Sequence, residues 1–106
     1  MEHITVEALK DRLDAGDNLH VLDVREPAEY HEANIGARLL PLSQLRLMDA
    51  GEIEDWKEEE VLIHCRSGQR SMEACMLLET MGFARVVTVT GGIMAWKEKF
   101  GDQKLP

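Results

Sequence analysis

The sequence predicts an α/β domain in which a mostly parallel sheet carries helices on both faces. Three features of the 106-residue chain lead there. Stretches with strand pattern alternate with stretches of helical pattern along the whole length, the order that strand–helix–strand crossovers produce. Val61-Leu62-Ile63-His64-Cys65 is an almost unbroken apolar run, as a parallel strand covered on both sides requires. Val86 to Thr90 is β-branched throughout and reads as a second such strand. The length suits one domain, residues 1–106, around one core.

The elements follow in order. Val6, Leu9 and Leu13 fall at helical spacing, with Thr5 as the capping hydroxyl. Asp14 to Asn18 reads as a turn. His20 to Val24 is a short strand ended by Arg25-Glu26-Pro27. Pro27 suits the first turn of a helix that carries Tyr30 and fades near Asn34, with Glu26 as its cap. Arg38-Leu39-Leu40 is another strand, closed by Pro41. Leu42 to Met48 is expected to be helical, with Ser43 as a candidate cap. The acidic stretch Glu52, Glu54, Asp55, Glu58, Glu59 and Glu60 predicts a solvated surface helix and turn. Beyond Cys65, Arg66-Ser67-Gly68-Gln69-Arg70 forms a loop, and a helix runs from about Ser71 to Met81. Its Ala74, Leu77, Leu78 and Met81 keep helical phase, and Gly82 stops it. Gly91-Gly92 lacks the spacing of a dinucleotide-binding loop and reads as a tight turn into a last helix bearing Ile93, Ala95, Trp96 and Phe100. Trp56 and Trp96 are expected to be packing residues, as are Met72, Met76 and Met81.

Composition narrows the partners. A 44% apolar and 30% charged chain is ordinary for a soluble globular protein. A net charge of −8 argues against nucleic acid or an anionic membrane as the main partner. No apolar run is long enough for a membrane span, and the first residues lack a signal-peptide pattern, so the expected location is cytoplasmic. Cys65 and Cys75 predict no structural disulfide in that setting. With four irregularly spaced histidines they make a poor zinc site, so neither metal nor cofactor is expected.

The chemical centre is expected at Cys65. It stands where a buried strand gives way to a loop and a helix, the edge at which ligands of such sheets collect. The first amides of the following helix lack partners and point into that loop. Gly68 lets the backbone curl so that successive amides form an anion-binding nest. Arg66 and Arg70 add fixed positive charge. Such surroundings favour a thiolate, the reactive form of cysteine. Cys75, mid-helix beside Leu78, reads instead as a core residue. His64 precedes Cys65, and strand alternation turns it to the opposite face as a satisfied core or boundary histidine. Asp23 and Arg25, at the end of a strand running near the loop, are candidates to brace it through a salt bridge or hydrogen bonds to loop amides, the alternative being ordinary strand-end polarity.

Three segments then carry a family resemblance. Cys65-Arg66-Ser67-Gly68-Gln69-Arg70-Ser71 resembles the active-site loop of the rhodanese family. Leu22-Asp23-Val24-Arg25-Glu26-Pro27, followed by Glu29-Tyr30, is similar to its upstream motif. Thr90-Gly91-Gly92-Ile93-Met94-Ala95-Trp96 is similar to its C-terminal one. The family commonly has Gly-His-Ile-Pro-Gly-Ala before the third strand; here Ala33-Asn34-Ile35-Gly36-Ala37 is shorter and lacks both His and Pro.

The resemblance implies a small three-layer domain on a five-stranded sheet. It implies a sulfurtransferase in which the Cys65 thiolate takes sulfur from a small anionic donor such as thiosulfate. The persulfide then passes to a thiol or protein acceptor. Loop amides from Arg66 through Arg70, with Ser67, Gly68 and Gln69 between, would hold the terminal sulfur, and Arg66 and Arg70 would draw in the donor. Two rival readings stand beside it. One is a persulfide carrier dedicated to a partner protein. The other is a cysteine phosphatase or arsenate reductase, whose loops place five residues between Cys and Arg, whereas four separate Cys65 from Arg70.

Overall fold

A computed structural model describes residues 1–106. The elements are β1 (Glu2–Ile4), α1 (Val6–Asp14), β2 (His20–Asp23), α2 (Pro27–Glu32), β3 (Arg38–Leu39), α3 (Leu42–Leu45), a 3-10 helix (Gly51–Trp56), β4 (Glu60–His64), α4 (Gln69–Thr80), β5 (Arg85–Val89) and α5 (Gly92–Phe100). The sheet order is β1-β5-β4-β2-β3. Every pairing is parallel, so the expected mostly parallel sheet is wholly so.

Strand alternation divides the core in two. Val61, Ile63 and Cys65 face a layer built by α3, α4 and the 3-10 helix, with Leu45, Ile53 and Leu78 at its centre. Leu62 and Val87 face the opposite layer, where Leu9, Ile93 and Trp96 pack. β4 is therefore apolar on both sides, as its sequence requires.

Helix ends follow local chemistry in part. Thr5 Oγ1 accepts the Ala8 amide at 3.1 Å, as expected of a cap. Glu26 stands at the N-cap of α2. Ser43 is not a cap: Pro41 holds that position, and Ser43 lies inside α3 with its hydroxyl donated to Glu26 Oε1 at 3.0 Å. α3 stops at Leu45 rather than Met48, because Met48 takes a left-handed φ of +59°. Of the acidic stretch, Glu52, Glu54 and Asp55 lie in a 3-10 helix kinked at Ile53 (φ −118°) rather than a regular helix, Glu58 and Glu59 form the expected turn, and Glu60 opens β4. β1 had no counterpart among the strands read from pattern. Its three residues are too few to show a period, and only pairing with β5 makes them a strand. Met72 and Met76 are 44% and 60% exposed, so they do not pack the core as expected; Ser71, Ala74, Cys75 and Leu78 form the inner face of α4 instead.

Candidate active site

The loop after β4 is tighter than its sequence suggests. α4 begins at Gln69, not Ser71, because Gly68 adopts φ +117° and turns the chain straight into the helix. The turn brings two backbone donors onto one sulfur. Gly68 N and Ser71 N lie 3.1 and 3.3 Å from Cys65 Sγ. The amides of Arg66, Ser67, Gln69 and Arg70 find no acceptor within the chain. Cys65 is 1% exposed, so its sulfur sits at the floor of a cup rimmed by donors.

Two further contacts hold the cup open in this shape. The carbonyls of Cys65 and Arg66 point outward and accept the Ile93 and Met94 amides of α5 at 2.8 and 3.0 Å. Turning the carbonyls out turns the intervening amide in. Only glycine at position 92 permits this approach, since a Cβ there would lie 2.3 Å from the Cys65 carbonyl oxygen. On the opposite side the buried Ser71 hydroxyl donates to the Gly68 carbonyl at 2.9 Å and meets Thr88 Oγ1 at 2.6 Å.

The charged residues do not all stand where the sequence pattern suggested. Arg66 is exposed and free of any ion pair. Arg70 is not free to meet a donor: its guanidinium forks onto Glu29 at 2.6 and 2.8 Å. The hydrogen bonds from Arg70 hold the Glu29 carboxyl down at about 2, against the cost of partial burial. Ser67 and Gln69 are exposed on the loop.

Asp23 and Arg25 are brought together, but they reach no loop amide. Asp23 is fully buried and accepts the Arg25 backbone and guanidinium at 2.8 to 3.2 Å, while Arg25 Nη2 also donates to the Ala33 carbonyl at 2.7 Å. The pair fastens the end of β2 to the end of α2. His64 is buried on the face opposite Cys65, as alternation requires, but it is not fully satisfied. With its proton on Nδ1 it donates to the Cys65 carbonyl at 3.3 Å, leaving Nε2, 3.5 Å from Asp23 Oδ2, without a hydrogen bond. Burial lowers its proton affinity against the pull of Asp23. Burial likewise pushes the Cys75 thiol up to about 12, which leaves it inert.

Pattern reading missed Ser71, Thr88, Glu29 and the close packing of Gly92. A signal existed for the first two. Ser71 is polar at a position in phase with the apolar Ala74 and Leu78, and Thr88 shares the inward phase of Val86. Glu29 was marked only by its place in the upstream motif, which does not reveal its pairing, because its partner is 41 residues away.

Comparisons with known proteins bear on the family and the fold. The sequence model of the family described as "Rhodanese-like domain" matches residues 5–99. The chain is 36% identical over 96 residues to the sulfurtransferase of Allochromatium vinosum, covering 91% of this chain and 88% of that one. It is 36% identical over 77 residues to the thiosulfate sulfurtransferase GlpE of Coxiella burnetii, covering 73% and 70% of the two chains. The crystal structure of a rhodanese-related protein from Thermoplasma volcanium superposes with a TM-score of 0.78 at 31% identity over 94% of each chain.

Proposed function

The chain belongs to the rhodanese-like domain family, and from that premise we propose that it is a sulfurtransferase carrying sulfane sulfur as a persulfide on Cys65. The observation that carries this reading is the convergence of the Gly68 and Ser71 amides on Cys65 Sγ, in a loop where four further amides have no acceptor. Oriented donors of this kind stabilise negative charge at the sulfur without reorganising during reaction. A cup with its sulfur on the floor suits a donor that projects one outer sulfur atom.

In the first half-reaction the Cys65 thiolate attacks the outer sulfur of thiosulfate. The donor S–S bond breaks, and sulfite leaves with the bonding electron pair. Cys65 then ends in a terminal sulfur anion facing the loop amides. In the second half-reaction an acceptor thiolate attacks that terminal sulfur, the bond to Cys65 breaks, and Cys65 returns as thiolate. The scheme is covalent catalysis with ping-pong kinetics and needs no general base once the thiol is ionised. Arg66, unpaired at the rim, attracts the anionic donor. Two free cysteines suit a reducing compartment, and the cytoplasm is the proposed location. No helix is long and apolar enough to cross a membrane.

The test is intact mass after incubation with thiosulfate. Wild type and Cys75→Ser are expected to gain one sulfur atom, removable by reductant, and Cys65→Ser to gain none. A gain on Cys65→Ser, or none on folded wild type, overturns the proposal.

A further inference from the structure

Beside the loop, between α2 and α5, lies a hollow of about 260 Å³. Arg66 of the loop and Lys97, Met94 and Ile93 of α5 line it. The remaining charged lining residues are largely spoken for. Arg25 is committed to Asp23, and Glu29 to Arg70. Glu32 is the one carboxylate there outside an ion pair.

The charge here runs against that of the molecule. The chain has 12 lysines and arginines against 20 acids. All but Arg38, Arg66, Lys97 and Lys104 are held in ion pairs. Two of those four free cations line this one hollow, and Lys104 lies in an adjoining one that also includes Lys97. Two uncommitted cations beside the reactive loop, against the single free carboxylate of Glu32, favour an anion there. Ile93 and Met94 in its lining offer apolar contact to the rest of the ligand.

We infer that this hollow is the acceptor subsite, and that it takes a thiol carrying a carboxylate several bonds from its sulfur. The carboxylate lies between Arg66 and Lys97 while the thiolate reaches the Cys65 persulfide. Lys97 is then a specificity-determining residue of the second half-reaction. The inference rests on the persulfide reading above and adds the chemical class of its acceptor.

The test separates the two. Protein is loaded with thiosulfate, the persulfide is verified by intact mass, excess donor is removed, and loss of the added sulfur is timed. The acceptors are glutathione and its diethyl ester, which keeps the thiol and removes both carboxylate charges. Wild type is expected to discharge faster to glutathione. In Lys97→Gln the ratio of the two rates should fall about fivefold, the size of one surface ion pair. Lys97→Arg should restore it. A loaded wild type without that preference, or a ratio unchanged in Lys97→Gln, overturns the inference and leaves the persulfide intact. Failure of folded wild type to load overturns both.

Discussion

Glu29 and Arg70 meet in a two-point ion pair, Nη1 to Oε1 at 2.6 Å and Nη2 to Oε2 at 2.8 Å, that fastens α2 to the first turn of the helix following Cys65. The parallel geometry is the strong form of an arginine–carboxylate contact. It spends the charge of Arg70 on the scaffold and leaves Arg66 as the free cation at the rim.

Arg66→Ala is therefore expected to raise the KM for thiosulfate about tenfold, the effect of losing one charge-assisted contact. Arg70→Ala should change KM less and lower the thermal unfolding midpoint more. Steady-state kinetics and a melting curve on both variants check the division. An equal rise in KM would return Arg70 to donor capture.

The same pair sets a pH dependence. The Glu29 carboxyl is held at about 2, below its ordinary 4.5. A depressed carboxyl contributes stability that is complete above its unfolded value and is lost as pH falls through the folded one. Wild type and Glu29→Gln should thus differ by a constant amount above pH 4.5 and converge as pH falls toward about 2. Denaturant midpoints across that range measure it.

Gly92→Ala should be the most damaging alanine substitution among the glycines. Its Cβ would sit 2.3 Å from the Cys65 oxygen and 2.8 Å from the Arg66 carbonyl, at φ +53°. A loss of about 3 kcal/mol is expected, with sulfur transfer falling further than stability because the loop amides lose their orientation. Gly16→Ala is the control. Its φ is +88° but nothing lies within 4 Å, so it should cost only about 1 kcal/mol and spare activity.

The Ser71–Thr88 hydroxyl pair is buried and shares one short hydrogen bond. Ser71→Ala strands the Thr88 hydroxyl, and Thr88→Val strands that of Ser71 less completely, since Ser71 keeps the Gly68 carbonyl. Ser71→Ala should cost about 2 kcal/mol. The double variant should cost clearly less than the two singles combined, and a double-mutant cycle reads the coupling.

Much of this was legible from neighbouring residues. The β4 run, the β-branched β5 and the phased apolar residues of α4 each declare their state within a few positions, because backbone period and side-chain burial are local. Cys65 was legible for the same reason: a strand end, a glycine and a helix start are adjacent in sequence. β1 was not, since three residues carry no period and become a strand only through β5. The start of α4 was misread by two residues because Gly68 takes a left-handed turn that the loop composition permits but does not require.

Local pattern is enough to dictate the alternating α/β order, the inward faces of the central strands and the sulfur at the edge of the sheet. Which arginine stays free, which glycine touches the loop and which hydroxyls brace it follow only from the packed fold. Those outcomes depend on pairs such as Glu29 with Arg70, 41 residues apart, and Gly92 against Cys65. A local pattern fixes where a side chain points from its own backbone, but its partner is chosen only when the helices close over the sheet.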